Sequence, residues 1–441
     1  MDLGFETIGN ATLICHDGGP LLATDPWLQG SAYFGSWALS HAIPEQQLEA
    51  IRQARFLWVS HGHPDHLSPE SLATLKHIPV LLPDHVGARI ADGLREDGHQ
   101  VRVLPDGEWT ELSPRVRVAS VSDYNQDAVL LVEMDGHLIA NTNDASDRGG
   151  SAFLREALAR TKRSWLLALT GWGDADMIHF FDEQGGMIPP TAASKEPLGP
   201  GIAGLLDFYD IETYVPFSTM HRYQRTDSAW ANEFAVDVQD FPSELPSPGR
   251  QITPAYVRVD LLRDSVEAID PPRASQELLE PEAFGDNWSD ELEPEDERAL
   301  RAYFEPLEHL RTFLGWVRFR VGGKELQLDI EPAHAARGIT FEVPRHSLME
   351  AIRWRVFEDL LIGNFMRTTL HGPWHHKGDQ GLHPDFSPYV GKYADNGGAR
   401  SAVELKRYFA EYHGRGFFGA GPRPGEQDLL RSISRYAPEG G

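Results

Sequence analysis

Cysteine is nearly absent from this chain of 441 residues, which contains a single one, Cys15. A lone cysteine excludes a disulfide framework within the chain. It also excludes a structural zinc site built on cysteine pairs and an iron–sulfur cluster held by two or more cysteines. The cysteine usage is therefore that of a protein from a reducing compartment.

Basic residues and long apolar runs are scarce too. The chain has 40 Lys+Arg against 66 Asp+Glu, a formal charge of -26, whereas nucleic acids and anionic membranes require a basic footprint. No stretch supplies the ~18 uncharged apolar residues of a membrane span, and the N-terminus lacks the features of a secretory signal. We expect a cytoplasmic protein whose partner is a small molecule, with neither nucleic acid nor membrane as a target.

The order of sequence patterns predicts the organisation of the chain. Strand patterns alternate with helical ones over residues 1–241, which predicts sheets covered by helices, an α/β architecture. Residues 242–299 are rich in proline, and 274–297 hold ten acids and no base, which is typical of an exposed linker. Residues 300–441 predict a smaller α+β domain, with a helix at 300–313, a hairpin, a third strand and a helix at 346–364.

One loop carries the strongest chemical signal. His61, His63, Asp65 and His66 lie within six residues, directly after a short apolar run that predicts a buried strand. Imidazole and carboxylate groups are costly to bury as filler, and this spacing suits two adjacent metal ions. The alternative is a solvated histidine-rich loop.

This loop resembles the HxHxDH signature of the metallo-β-lactamase fold superfamily, over roughly residues 3–235. The resemblance implies an αββα sandwich with two metals at the sheet edges. It implies that His61 and His63 hold the first metal, and that Asp65 and His66 hold the second. Asp65 would also act in catalysis, orienting a hydroxide if the reaction is a hydrolysis.

The same resemblance implies ligands further along the chain. Asp144, after the apolar run HLIANTN, fits the bridging and catalytic aspartate, and a turn aspartate is the alternative. His221, in YVPFSTMH, fits the last ligand, and a core or surface histidine is the alternative. The family's third histidine on the first metal is missing; Asp123 occupies its place, Asp127 is a second candidate, and His179 could fill the gap from elsewhere.

A carboxylate at that position bears on the identity of the metal. A site of four histidines and three carboxylates is harder than a histidine-dominated zinc site, and suits iron or manganese better than such a site does. The resemblance within the superfamily is to the iron-using branches. We therefore expect two divalent metal ions, with iron favoured over zinc and manganese.

A closer resemblance is to the metallo-β-lactamase-like part of the CMP-N-acetylneuraminate hydroxylase family. It lies in residues 24–30, 60–68, 137–144 and 214–217, and more weakly in 358–363. That family carries a Rieske domain, which needs two cysteines and two histidines, so this chain with one cysteine holds none. Activity on the family's substrate therefore does not transfer, and electrons would come from a separate donor or from the substrate.

These observations favour a non-haem di-iron oxygenase or hydroxylase that oxidises a small polar substrate with dioxygen as co-substrate. The alternative is a metallohydrolase acting on a lactone, amide or phosphoester through a metal-bridging hydroxide. A metal-bearing scaffold without activity is a third possibility. Fold alone does not decide between them.

Five residues are candidates for contact with the substrate. Trp172 and His179 lie in a long loop after a predicted strand, where such loops often wall a site. Arg222, Tyr223 and Arg225 follow His221 and could hold an anionic group. Core packing or a surface role is the alternative for each.

Overall fold

The computed structural model describes residues 1–123, 126–145, 151–172, 177–374 and 400–415, together with Leu382, Phe386 and Val390. The strands are β1 (Leu3–Ile8), β2 (Thr12–Asp17), β3 (Pro20–Thr24), β4 (Trp37–Leu39), β5 (Phe56–Trp58), β6 (Val80–Leu82), β7 (Val101–Val103), β8 (Thr110–Ser113), β9 (Val116–Ser122), β10 (Ala128–Met134), β11 (His137–Asn143), β12 (Arg163–Ala168), β13 (Phe180–Phe181), β14 (Thr213–Pro216), β15 (His221–Tyr223), β16 (Gln251–Ile252), β17 (Val257–Asp260), β18 (Ser265–Ala268), β19 (Trp316–Val321), β20 (Lys324–Asp329), β21 (Gly338–Glu342) and β22 (Arg367–His371). The helices are α1 (Glu45–Arg52), α2 (Pro69–Thr74), α3 (Arg89–Glu96), α4 (Ser151–Leu158), α5 (Leu198–Tyr209), α6 (Pro294–Phe304), α7 (Arg345–Trp354), α8 (Phe357–Ile362) and α9 (Ala402–His413).

Two large sheets pack face to face. The first has the order β18-β17-β1-β2-β3-β5-β6-β7, and the second has the order β16-β14-β12-β11-β10-β9-β8. Alternate apolar residues of both sheets meet in one buried core, as the period of two along a strand requires. Phe5 of the first sheet, for example, meets Trp165 of the second edge to face, with ring centroids 5.4 Å apart.

Helices cover the outer face of each sheet. Ile51 of α1, Leu72 of α2 and Leu94 of α3 pack against the first sheet, and Leu154 of α4 and Ile202 of α5 pack against the second. The layers therefore run helix, sheet, sheet, helix. This confirms the αββα sandwich that the resemblance implied.

A second unit is built on a mixed sheet of order β13-β22-β21-β19-β20, with α6, α7 and α8 packed against it in a core rich in phenylalanine. Its edge strand β13 comes from the long loop of the first unit and pairs in parallel with β22. The chain segment between β12 and α5 therefore contributes a strand to the sheet of the second unit. Part of the predicted domain at 300–441 lies outside the described residues.

The structure corrects the prediction of an exposed linker at 242–299. β16 joins the second sheet, while β17 and β18 extend the first. Within the acidic stretch, Asp286 is completely buried. The linker reading failed because the partners of these residues are remote in sequence, so local composition does not indicate them.

Two predicted helices also differ. The helix predicted at 300–313 is α6, which starts at Pro294 and ends at Phe304, followed by a 3-10 turn at Glu308–Thr312. The helix predicted at 346–364 is broken into α7 and α8, since Arg355 adopts a left-handed conformation with φ of 59°. No helix within the described ranges is long and apolar enough to cross a membrane.

Candidate metal centre

The predicted metal ligands lie at the ends of strands, at one edge of the sandwich. The loop with His61, His63, Asp65 and His66 directly follows β5, and Asp144 directly follows β11. β5 belongs to the first sheet and β11 to the second, and the loops after them meet where the two sheets face each other, with His61 Nε2 3.7 Å from Asp144 Oδ2. Local hydrogen bonds from Leu67 N and His66 N to His63 O fold the histidine loop into a tight turn.

His61, His63 and Asp144 form a group of metal-binding size, with one potential ligand atom of each lying within 4.8 Å of the others. His61 Nε2 is 2.8 Å from His63 Nδ1 and 3.7 Å from Asp144 Oδ2. Nitrogen and carboxylate oxygen atoms that face one another in this way can share one cation. The group corresponds to the predicted first metal position.

The second predicted position lies on the other side of Asp144. His66 Nε2 is 3.2 Å from Asp65 Oδ2 and 3.4 Å from Asp144 Oδ2. The same Asp144 oxygen is thus close to His61 and to His66, which is the arrangement a bridging carboxylate needs. Burial raises the pKa of Asp65, but His66 and His63 outweigh it and hold this pKa well below its usual range.

His221, the last predicted ligand, is buried beside this group. Its ring stacks on Trp37, with centroids 3.5 Å apart and planes 4° apart. Both ring nitrogens are buried and have no hydrogen-bond partner among the described residues. Burial lowers the pKa of His221 to about 4, with Asp65 and His66 close enough to influence it. Buried polar atoms are normally paired, so a neutral imidazole with two unpaired nitrogens fits a metal ligand.

A buried polar network that lies outside the HxHxDH motif supports the ligands. Asn143 Nδ2 donates to Asp25 Oδ2 over 2.8 Å, and Ser60 N and Oγ donate to Asp25 Oδ1 and Oδ2. His66 Nδ1 lies 3.2 Å from Asp25 Oδ2, so its other nitrogen faces the candidate metal. Ser218 Oγ donates to Asp144 Oδ1 over 2.7 Å. Such outer partners fix the orientation of metal ligands.

Backbone strain marks the same network. Asp25, Asn143 and Ser218 have φ of 40°, 46° and 60°. Asn143 is the last residue of β11, while Asp25 and Ser218 follow the ends of β3 and β14 by one and two residues. Non-glycine residues pay an energetic cost in this region, and such residues cluster at functional sites. Their positions at strand ends, and for Asp25 and Asn143 their place in the segments that resemble the hydroxylase family, were the sequence signals that could have identified them.

The structure distinguishes the three candidates for the missing third ligand by position. Asp127 Oδ1 is 3.8 Å from His61 Nδ1, and both residues line one cavity with His63. Asp123 lies behind it and accepts a hydrogen bond from Asp127 N over 3.2 Å. His179 stacks on Trp230, with centroids 4.4 Å apart, beside β13. The choice among them remains a prediction.

A cavity of about 640 Å³ opens beside the candidate centre. Its walls come from the histidine loop, from α2 and α3, and from Trp354, Val356, Glu358 and Asp359 of the second unit. Its volume is in the range of small-molecule sites. The second unit therefore forms part of the wall of the space next to the metal ligands.

Among the residues predicted to contact the substrate, Arg225 requires a correction. Its side chain is completely buried and donates hydrogen bonds to Asp227, Asp286 and Phe34 O. Its charge is therefore paired with carboxylates of the protein and does not face a substrate. Tyr223 is also buried, and Asn364 Nδ2 donates to its hydroxyl over 3.0 Å.

The other three candidates stay predictions. Trp172 is half-buried and its Nε1 donates to Glu196 O. Arg222 Nη1 donates to Glu277 O over 3.4 Å. The ring of His179 also lies 4.6 Å from that of Phe181.

Comparison with known proteins gives partial matches. No family model matches the sequence. Over 162 residues, 34% of the chain, it is 32% identical to a cytidine monophosphate-N-acetylneuraminic acid hydroxylase of Macaca mulatta, of which it covers 28%. It is also 32% identical over 151 residues to the hydroxylase of Sus scrofa, covering 35% of that protein. The chain thus spans about a third of the length of these relatives.

Solved structures give weaker likenesses. The metallo hydrolase Igni18 of Ignicoccus hospitalis superposes with a TM-score of 0.38 at 14% identity, over 59% of this chain and 99% of that one. The di-iron β-hydroxylase CmlA of Streptomyces venezuelae superposes with a TM-score of 0.35 at 14% identity, over 55% and 48%. The αββα layers, the HxHxDH loop and the hydroxylase similarity together identify the metallo-β-lactamase fold.

Proposed function

We propose that the protein is a binuclear metal enzyme that hydroxylates a small molecule with dioxygen. The observation that carries the proposal is the donor set around Asp144, in which carboxylates accompany the histidines at both predicted metal positions. Oxygen-rich donor sets suit iron better than purely histidine sites do. The partial identity to hydroxylases of CMP-N-acetylneuraminic acid supports the same reaction class.

Each ligand has a defined part in this proposal. His61 and His63 would hold the first metal, and Asp127, 3.8 Å from His61 Nδ1 and lining the same cavity, would be its additional carboxylate donor. Asp65, His66 and His221 would hold the second metal, and Asp144 would be available to both positions. When bound, iron would supply the redox chemistry that dioxygen activation needs.

The remaining chain positions the substrate and excludes water. The cavity beside His61 and His63 is lined on one side by Leu72, Ile90 and Leu94, and apolar walls keep water from a reacting centre. A hydroxylation places one oxygen atom of dioxygen in the substrate and reduces the other to water. The two electrons and two protons this requires would come from a separate donor or from the substrate, since one cysteine cannot build a Rieske cluster in this chain.

Metal analysis tests the proposal most directly. The chain is produced in medium without added zinc and analysed for iron, zinc and manganese. Two irons per chain, together with oxygen uptake on addition of a chemical reductant, would support the oxygenase. Two zinc ions, with hydrolysis of a lactone or phosphodiester panel, would overturn it in favour of the metallohydrolase.

Matched carboxamide variants test the third donor. Asp127→Asn is expected to lower metal occupancy to about one ion per chain, whereas Asp123→Asn is expected to retain two. Both residues are buried and differ in position rather than in chemistry, so each controls for the other. The opposite result would transfer the role to Asp123.

A further inference from the structure

Tyr33 contacts the candidate centre although no ligand pattern includes it. Its hydroxyl donates to Asp65 Oδ1 over 2.7 Å, while Asn10 Nδ2 donates to Asp65 Oδ2 over 2.9 Å. Both oxygens of Asp65 are therefore held from the protein side. The Tyr33 ring lies 4.5 Å from Trp37, which stacks on His221. Tyr33 thus contacts one predicted ligand of the second metal and packs behind another.

The turn that carries Tyr33 has an unusual backbone. Tyr33, Phe34 and Gly35 have φ of 50°, 56° and 84°, three successive residues in the left-handed region. A Cβ atom on Gly35 would lie 2.2 Å from the Phe284 ring, so the turn is packed too tightly for another residue there. Such a conformation persists only where the surroundings hold it.

The second unit supplies the surroundings. The carbonyl of Phe34 accepts from Arg225 Nη1, which also donates to the buried Asp286 over 2.7 Å. Asp286 in turn accepts from the amide and hydroxyl of Ser347 in α7. At the end of the turn, Ser36 Oγ donates to Gly363 O, directly after α8, over 2.6 Å. The turn is thus linked at Phe34 to α7, through Arg225 and Asp286, and at Ser36 to the residue that follows α8.

We propose that Tyr33 is a positioning residue for the second metal, and that the second unit holds it in place through the Arg225–Asp286 contact. Tyr33 fixes the orientation in which the Asp65 carboxylate would bind the metal. This gives the second unit a role in the metal centre in addition to forming a wall of the cavity. The inference depends on the metal-binding part of the proposed function and not on the reaction.

Cobalt(II) binding to the full chain provides a test without an assay of activity. The metal-free protein is titrated with cobalt(II) against a chelating dye, and the visible absorption of the bound ion is recorded. Tyr33→Phe is expected to bind the first ion as wild type does and the second about 10-fold more weakly, a typical effect of losing an outer-shell partner. The absorption bands of the second ion are expected to shift.

Tyr214→Phe is the matched control, because it also removes the hydroxyl of a buried tyrosine, here one donating to Ala168 O over 2.8 Å in the sandwich. It is expected to bind both ions with wild-type affinity and spectrum. Equal weakening in both variants would reduce Tyr33 to an ordinary packing residue, and unchanged binding in Tyr33→Phe would overturn the inference. Failure of wild type to bind two ions would instead refute the proposed function.

The link to the second unit has its own variant. Asp286→Asn is expected to weaken binding of the second cobalt ion and to shift its absorption bands as Tyr33→Phe does. The double variant is expected to show little further loss of affinity. Ser36→Ala is a milder variant that interrupts the other end of the turn if Asp286→Asn does not fold. Wild-type cobalt spectra in a folded variant of either kind would refute the role of the second unit.

Discussion

The buried pair of Arg225 and Asp286 offers a stringent test of how the two units are joined. Both side chains are completely buried, with a contact of 2.7 Å between Nη1 and Oδ2. Asp286→Ala leaves the guanidinium with one carboxylate, Asp227, and deprives Ser347 N and Oγ of their acceptor. Removing one partner of a buried pair costs roughly 3–5 kcal/mol. We expect a loss of that size in the free energy of unfolding.

Guanidinium chloride unfolding, followed by tryptophan fluorescence and far-ultraviolet circular dichroism, measures this loss. Glu156→Ala is the control, since Glu156 and Arg160 form an exposed i,i+4 pair; such pairs contribute less than about 0.5 kcal/mol. A loss below about 1 kcal/mol in Asp286→Ala would show that Arg225 finds another acceptor or water. The Arg225–Asp286 pair would then contribute little to the stability of the fold.

Three further outcomes follow from the structure. Burial raises the pKa of Glu6, but hydrogen bonds from His16, Arg258 and Gln47 outweigh it and lower the pKa to about 2 from 4.5. A lowered carboxylate pKa stabilises the fold above pH 4.5, and this stability is lost as the pH falls toward 2. Glu6→Gln should therefore flatten the acid limb of a stability–pH curve by up to about 3 kcal/mol. His221→Ala should reduce bound metal from two ions to one by elemental analysis, while Asn232→Ala, which changes a neighbour bonded to Tyr223, should retain two. Ala73→Trp adds a large side chain to the cavity wall and should raise the KM for the substrate by about 10-fold or more while leaving the metal content unchanged. An unchanged KM would show that the substrate does not bind in this cavity.

Much of the sandwich was predictable because its signals are local. The apolar run AVLLVEM forms β10, and Ser68 caps α2 with Pro69 in its first turn, two patterns that are visible in the sequence itself. The histidine loop was recognisable because its ligands are close together in sequence. Asp144 could be anticipated from its place after a hairpin.

Features that depend on remote partners were not predictable in the same way. Val257 and Val259 alternate with polar residues as a strand should, yet their partners in β1 lie about 250 positions earlier in the chain. Asp286 belongs to an acidic run that composition describes as solvated, but Arg225 and Ser347 bury it. Tyr33 lacks any motif, since its function depends on a turn that only the folded second unit fixes.

The pairing of β13 with a strand of the second unit has a consequence for the order in which the molecule folds. Phe180 pairs with Thr368, so the edge of the third sheet joins segments that are almost 190 residues apart. Contacts of such separation form late, because loop closure must come before they contribute stability. During synthesis, Phe180 and Phe181 emerge long before their partner strand, and until β22 arrives their pairing is local, through the bridge between Phe181 and Met187. The second metal position, whose supporting turn is held by the same unit, would reach its full affinity only after that closure.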